Sequence, residues 1–421
     1  MIRLNKLLKE LFEALRVSLW FVLLLFPLVV MKVTVSSGRA SVEFRWSLVP
    51  VVFIGAVVFS WVWARALEWN EGRGSRDVTN GLLSRAGRKL TSAVSVQPVR
   101  IALVAVAALL VTAYPFVLGM YHTNIMITAL IYVILALGLN IVVGLGGLLN
   151  LGYAAFFAVG AYTYGLLWKY VGPIFVEAGI STGFLFWISL PLAGVIATFF
   201  GVLLSLPVLR LRGDYLAIIT LAFGEIVRMV LQNSGDLTGG ASGIPRIPQP
   251  WLFNIRLNPA QRAVYLYFIV VVIVLFTIMV VRRIEDSRVG RALEAMREDE
   301  IACEAMGIDL LKNKLMTFAL GAFFAGIAGV LLAAQTTFIN PDSFTLWESI
   351  MILMAVVIGG TGSIPGTIVG ALLLKLLPEY FRALSQYRML IYGFAMLVII
   401  IFKPNGLIPR IRKKHLFEET V

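Results

Sequence analysis

Residues 101–168 contain no aspartate, glutamate, lysine or arginine, and this 68-residue run constrains the fold more than any other feature. A transmembrane helix needs about 20 apolar residues, because the hydrocarbon core of a bilayer is roughly 30 Å thick. Two or three spans fit in this run, and we expect helices because lipid satisfies no backbone hydrogen bonds. Only 14% of the chain is charged and its mean hydropathy is +0.90. We predict an all-α, polytopic integral membrane bundle of about 10–12 transmembrane helices with an internal repeat.

The distribution of lysine and arginine predicts which loops face the cytoplasm. With the N-terminus inside, the inner segments hold 25 of the 36 Lys and Arg residues, in agreement with the positive-inside rule. We therefore expect both termini to be cytoplasmic, and the net charge of +13 reflects membrane orientation rather than a nucleic-acid partner. The candidate spans are residues 17–35, 46–64, 101–120, 124–143, 151–168, 183–208, 215–231, 263–281 and 315–334, with shorter pieces at 348–358, 364–377 and 389–402.

Three regions follow from this pattern. Residues 1–98 form a two-span N-terminal appendage that ends in a cytoplasmic linker rich in Gly, Ser and Arg. Residues 99–404 form the compact transmembrane domain, and residues 405–421 form a basic cytoplasmic tail. The piece at 348–358 is too short to cross a bilayer unaided, so the number of spans around 348–377 is left open.

A charged segment interrupts the apolar chain at residues 282–314 and holds 8 of its 23 acidic residues. Within it, Val289, Leu293 and Met296 recur at helical spacing, as do Ile301, Ala305 and Ile308, so each set forms an apolar stripe. These stripes fit a groove on a cytoplasmic partner, with the acidic residues giving electrostatic complementarity; the alternative is a solvated loop resting on the bilayer. The candidate coupling residues are Leu293, Met296, Glu298, Asp299, Glu300, Ile301, Ala302, Ala305, Gly307 (a turn or C-cap) and Ile308.

Two glycine-broken apolar segments, residues 142–162 and 356–372, resemble each other faintly. Interrupted hydrophobic segments in the two halves of a transporter indicate an internal repeat and a translocation pathway, whereas glycine also occurs at ordinary close helix contacts. The pathway candidates in and beside these segments are Asn140, Gly144, Gly146, Gly147, Gly359 and Gly360.

An ionisable pair lies inside a predicted span. Glu225 follows Asp214 by eleven residues, which is about 16 Å along a helix, and Arg228 at i+3 is close enough to pair with it. Charges at that depth usually face protein or a water-filled path. Glu225 and Arg228 are therefore pathway candidates for a zwitterionic solute, and a neutralised structural pair is the alternative.

Residue types needed for chemistry are sparse. The chain has no P-loop motif, only two histidines, no metal-ligand spacing and a single cysteine, Cys303. We therefore expect no enzyme activity, no catalytic residues, no metal and no cofactor of its own, and an energy source in another chain.

Residues 210–244 (RLRGDYLAIITLAFGEIVRMVLQNSGDLTGGASGI), 139–162 and 291–308 resemble the LivM-type permease subunits of branched-chain amino acid ABC importers, over about residues 100–404. The resemblance implies a bacterial cytoplasmic membrane protein that pairs with a homologous LivH-type permease. Two cytoplasmic P-loop ATPases (LivG- and LivF-type), which bind the ATP, and a periplasmic amino-acid-binding protein complete such importers. It also implies that the ATPases couple to residues 291–308, and that ATPase closure switches the permease from inward- to outward-facing.

The favoured function is thus the permease subunit of an ATP-driven importer for leucine, isoleucine and valine. Broader relatives of the family move sugars, urea or nucleosides, which leaves those solutes as alternatives. An ion-coupled secondary transporter that uses Glu225 is a third reading.

Overall fold

The computed structural model describes residues 31–36, 39–44, 97–178, 183–208, 213–250, 258–380, 393 and 406–408. The chain falls into two compact units, Met1–Val106 and Ala107–Val421. The predicted span at 46–64, the polar part of the linker, the span at 389–402 and most of the basic tail lie outside the described residues.

The described chain is nearly all helical, which confirms the predicted class. The helices are α1 (Gln97–Asn140), α2 (Tyr153–Glu177), α3 (Gly183–Val208), α4 (Asp214–Asn233), α5 (Gly235–Thr238), α6 (Pro259–Glu285), α7 (Arg288–Glu298), α8 (Glu300–Ala305), α9 (Leu310–Thr336), α10 (Leu346–Gly359) and α11 (Ile364–Tyr380). The strands are β1 (Met31–Ser36), β2 (Arg39–Phe44), β3 (Ile244–Pro245) and β4 (Phe338–Ile339), paired antiparallel as β1–β2 and β3–β4.

Six helical stretches of the described chain are long and apolar enough to cross a membrane. They are Gly119–Leu145, Gly183–Leu206, Tyr215–Asn233, Pro259–Glu285, Leu310–Thr336 and Pro341–Gly359. A shorter apolar helix covers Ile364–Leu376. The stretch predicted at 348–358 is longer in the structure, because α10 begins at Leu346 and a 3₁₀ turn at Pro341–Ser343 precedes it.

Two predicted boundaries are shifted. The break expected between the spans 101–120 and 124–143 lies at Gly119, where non-helical backbone with a φ of 76° separates two helical stretches of α1. The last five residues of the predicted span at 17–35 form part of strand β1 instead, because the β-branched run Val33-Thr34-Val35 favours extended backbone.

Helix α9 lies in the middle of the described bundle and packs against α2 and α3. The contacts are close because they are made by glycine: a Cβ on Gly160 would lie 2.1 Å from the carbonyl oxygen of Gly326, and one on Gly329 would lie 2.3 Å from that of Phe157. Small residues let membrane helices approach backbone to backbone. The first turn of α9, at 310–314, is also the last part of the charged segment.

Candidate coupling and translocation site

Side-chain caps fold the charged segment into two short helices. Ser287 Oγ accepts a hydrogen bond from the Gly290 N–H (3.2 Å) and begins α7. Asp299 accepts from Ile301 and Ala302 (2.8 and 3.1 Å) and begins α8. Such caps satisfy backbone donors that a helix start leaves unpaired. Asp299 therefore ends α7 and caps α8, and it is not only a surface charge.

The turn after α8 leads directly into a transmembrane helix. Gly307 adopts a φ of 77°, and its N–H and that of Ile308 bond to the carbonyls of Glu304 and Cys303, as in a helix C-cap. Asp309 then caps α9 by accepting from the Lys312 N–H at 3.1 Å. That backbone bond lowers the pKa of Asp309 below its ordinary value. The predicted turn at Gly307 is thus a fixed corner between α8 and α9.

One face of the charged segment is buried against the transmembrane domain. Leu293 and Met296 are 0% and 2% exposed, and Cys303 is buried as well. Glu300 forms an ion pair with Lys314 at 2.9 Å, in which the Lys314 side chain is only 4% exposed. These side chains anchor the segment to the transmembrane domain, because they lie on its inner side.

The other face is exposed and carries large apolar side chains among charged ones. Ile301, Met306 and Leu311 are 67%, 82% and 51% exposed, and we refer to them as the exposed apolar row. Ala302, Ala305, Glu298 and Asp299 are also exposed, whereas Ile308 is half-buried. Sequence periodicity missed Met306 and Leu311 because they lie on either side of the Gly307 corner, where helical spacing does not hold.

The two glycine-broken segments meet at Asn140. Helix α1 ends there and continues as a π-helical turn, Ile141–Leu145. Asn140 is 1% exposed and its Oδ1 accepts a hydrogen bond from the Gly362 N–H at 2.8 Å. A Cβ on Gly144 would lie 2.1 Å from that same oxygen and 2.5 Å from the Gly362 nitrogen. We call the connection at 141–152 the first break and that at 360–363 the second break.

The other four glycine pathway candidates lie in the two breaks or at their ends, and each packs against a different part of the structure. Gly359 ends α10 and Gly360 is the first residue of the second break, and backbone at 406–408 packs on both. Gly146 packs against Thr317 of α9, since a Cβ there would lie 3.0 Å from its methyl carbon. Gly147, with a φ of 68°, packs against Arg297 of α7. The structure therefore places these pathway candidates around Asn140, beside Thr317 of α9 and Arg297 of the charged segment.

Glu225 and Arg228 pair as their spacing predicted, with the Arg228 Nε 2.9 Å from Glu225 Oε2. A third member, Asp342 from the 3₁₀ turn before α10, lies 3.2 Å from Arg228 Nη1. The Glu225 and Arg228 side chains are 31% and 24% exposed. Asp342 was missed because 114 residues separate it from Arg228. Within the described residues, no group of three or more His, Cys, Asp or Glu side chains is placed to hold a metal ion.

Comparisons with known proteins identify the family. Residues 121–401 match the family model described as the permease component of the branched-chain amino acid transport system. The chain is 42% identical to the LivM permease protein of Escherichia coli K12, over 79% of this chain and 81% of that protein. It is 29% identical to a probable LivM of Methanocaldococcus jannaschii, over 66% of this chain and 90% of that protein.

Its identity to the LivH permease protein of E. coli K12 is also 29%, over 66% of this chain and 91% of that protein. No solved structure matches the chain. The family match covers nearly the region expected from the motifs, and it includes both breaks and the charged segment. The chain therefore belongs to the family of branched-chain amino acid transport system permease components.

Proposed function

We propose that this chain is a transmembrane permease subunit of an ATP-driven ABC importer for leucine, isoleucine and valine. The observation that carries the proposal is its 42% identity to a high-affinity branched-chain amino acid permease protein, LivM, over 79% of the chain. The junction of two glycine-broken segments at Asn140 supports a pathway role, because such breaks line the translocation route in many transporters.

The proposed complex contains a second, LivH-type permease, with which this chain shares the translocation pathway. The 29% identity to LivH over 66% of the chain supports such a pair, since two similar permeases build a pseudo-symmetric route. One helix face also supports it: Tyr215, Ile218 and Ile226 on α4 are 71%, 61% and 58% exposed, beside the half-exposed Glu225–Arg228 pair. A buried partner face shields such a pair better than lipid does.

The complex further contains two cytoplasmic P-loop ATPases and a periplasmic amino-acid-binding protein. The chain has no P-loop of its own, so the energy for transport comes from another subunit. The exposed apolar row of Ile301, Met306 and Leu311 is the surface that we assign to an ATPase. Exposed apolar residues clustered in a charged segment are typical of protein contacts. Both chain termini lie in the cytoplasm, which the 25 of 36 Lys and Arg on the inner side support.

A secondary transporter that uses Glu225 for ion coupling is the competing proposal. Glu225 is already engaged by Arg228 at 2.9 Å, and Arg228 also contacts Asp342. A coupling carboxylate must release and rebind its ion in each cycle, which a standing arginine partner opposes. The arrangement therefore supports a structural role for the pair.

The test is uptake of radiolabelled leucine by the full complex in proteoliposomes, with unlabelled competitors. We expect isoleucine and valine to compete in the presence of ATP, and ribose, urea and adenosine to have no effect. Competition by one of the latter three in place of the amino acids would reassign the solute class. Uptake that follows an imposed proton or sodium gradient without ATP would contradict the importer assignment.

A further inference from the structure

Arg297 joins three separate parts of the permease. It lies in the last turn of α7, within the charged segment. Its Nη1 donates a hydrogen bond to the carbonyl oxygen of Gly144 in the first break, and its Nη2 lies 3.4 Å from Thr361 Oγ1 in the second break. The two acceptors are 153 and 64 residues away in sequence. One side chain therefore reaches both breaks from the segment that we assign to an ATPase.

The backbone of the first break is shaped to receive this side chain. Gly147 adopts a φ of 68°, and a Cβ at that position would lie 2.8 Å from the Arg297 Cγ and 3.2 Å from its Cβ. The arginine stem therefore packs directly on the Gly147 backbone. Any larger residue at 147 would displace the stem and strain the left-handed backbone. The fit involves the aliphatic stem as well as the guanidinium group.

The chemistry of the contact explains why arginine is present. The Gly144 carbonyl lies in the last turn of the π-helical extension of α1, where helices leave carbonyls unpaired and present negative partial charge. A guanidinium group has N–H donors in a fixed planar fork, so it bonds to two oxygens on different segments at once. A lysine ammonium supplies a single point charge on a flexible stem. A lysine at this position could bond to one of the two oxygens, but it could not hold both in the same geometry.

The two breaks are also joined directly to each other. The buried Asn140 accepts from the Gly362 N–H at 2.8 Å, one residue beyond Thr361. Helix α7 packs on the transmembrane domain through the buried side chains of Leu293 and Met296. It is joined to α8 by Asp299, which ends α7 and begins α8. A displacement of α8 and the exposed apolar row therefore reaches α7 through one shared residue. From α7 it reaches both breaks through Arg297.

We propose that Arg297 is a positioning residue, which transmits movement of the charged segment to the two glycine breaks and so couples ATPase closure to opening of the pathway. The inference rests on the proposed function, since it requires that an ATPase grips the exposed apolar row. A helix cap alone would use only the Gly144 contact. Arg297 also contacts Thr361 and packs on Gly147, and a cap needs neither contact. We therefore assign it a coupling role as well.

The experiment uses the full complex in proteoliposomes and measures leucine uptake and ATP hydrolysis in the same samples. The variants are Arg297→Gln, Arg297→Lys and Thr361→Val, the last of which removes one acceptor at nearly constant volume. Arg288→Gln is the matched control, because Arg288 is an exposed arginine of the same helix, in its first turn. Co-purification of the ATPases with each variant reports assembly separately from coupling.

We expect Arg297→Gln to assemble and hydrolyse ATP while the leucine transported per ATP falls by about tenfold, a typical size for a lost coupling. Arg297→Lys should not restore the ratio, Thr361→Val should lower it by a smaller factor, and combining Thr361→Val with Arg297→Gln should add nothing further. Arg288→Gln should match the wild type.

The inference is overturned if Arg297→Gln and Thr361→Val both keep the wild-type ratio of uptake to hydrolysis. It is also overturned if Arg297→Gln loses the ATPases while Thr361→Val leaves the ratio unchanged, since Arg297 would then serve only to dock or fold the segment. Absence of ATP-dependent uptake by the wild-type complex would instead contradict the proposed function. The two failures are therefore distinguishable in one set of samples.

Discussion

Asn140 lies directly before the first break, and its side chain bonds to the second break. Its side chain is 1% exposed, bonds to the Gly362 N–H and lies against Gly144, where even a methyl group would collide with it. A buried amide between two backbone segments is costly unless it is paired. Its position indicates that it sets the register of the two breaks relative to each other.

Replacing Asn140 with leucine should therefore destabilise the permease. Leucine has a similar size but accepts no hydrogen bond, so the buried Gly362 N–H loses its partner, at a cost of about 1–3 kcal/mol. The measurement is the thermal unfolding temperature of the purified complex in detergent. Asn233→Leu is the control, because Asn233 is exposed at the end of α4. An Asn140→Leu variant that unfolds at the same temperature as this control would show that the bond contributes nothing.

Individual residues of the charged segment divide between anchoring and contact. Glu300 is paired with the buried Lys314, so reversing its charge would place a second cation beside the buried ammonium group and damage the fold of the segment. Removing one partner of a buried ion pair typically costs about 3–5 kcal/mol. Reversal of Glu298, Asp299 and Glu300 together, the obvious sequence-based test of coupling, would therefore confound docking with folding. Ile301 and Met306 offer a cleaner test because their side chains are exposed.

At the scale of elements, close packing of small residues holds α9 against α2 and α3. The Gly160 and Gly326 backbones approach so closely that a Cβ on Gly160 would lie 2.1 Å from the Gly326 carbonyl oxygen. Apolar side chains alone give little reason for helices to associate in lipid, so backbone approach matters more than hydrophobicity.

Gly160→Ala should consequently push α2 and α9 apart. Overpacking of a tight contact costs about 1–3 kcal/mol, so we expect a lower yield of assembled complex and a lower unfolding temperature in detergent. The matched control is Gly235→Ala in α5, where a Cβ meets nothing within 4 Å. If both alanine variants behave alike, the glycine contact is not a source of stability.

The elements were the most predictable part of this protein. Charge-free apolar runs and the i, i+3, i+4 stripes located the helices, and the positions of Ser287, Asp299 and Asp309 before α7, α8 and α9 suit caps. The break between the spans 101–120 and 124–143 was predictable, but not that it is a kink at Gly119, because a glycine in an apolar run marks a kink or a loop equally well. Strand β1 was missed for a similar reason, since an apolar run of β-branched residues fits a span or a strand.

The junction itself was only half predictable. The glycine breaks singled out two segments that the structure brings together, but nothing in one sequence pairs Asn140 with Gly362, which lie 222 residues apart. No role was predicted for Arg297 from the sequence, although its side chain contacts both breaks. Long-range contacts of this kind depend on how helices pack, which periodicity does not encode. The Glu225–Arg228 pair, by contrast, was accessible because i, i+3 spacing is local.

At the scale of the whole molecule, we propose that the described transmembrane domain supplies a translocation pathway and a docking segment, and that another subunit supplies the energy. The breaks at 141–152 and 360–363 meet at Asn140, and the charged segment at 282–314 presents an exposed apolar row on one side and reaches the breaks through Arg297 on the other. We propose that a permease built in this way moves solute only when another subunit displaces the segment. Membership of the branched-chain amino acid permease family agrees with this division of labour.

The most direct test is leucine accumulation in proteoliposomes that contain this chain, its permease partner, the binding protein and the two ATPases. The wild type is compared with the double variant Ile301→Asp, Met306→Asp and with a sample that lacks the ATPases. We expect ATP-dependent accumulation only in the wild-type complex, and loss of ATPase co-purification in the double variant, because carboxylates replace the apolar contact. Leucine accumulation that continues without ATPases, or at the wild-type rate in the double variant, would contradict the account.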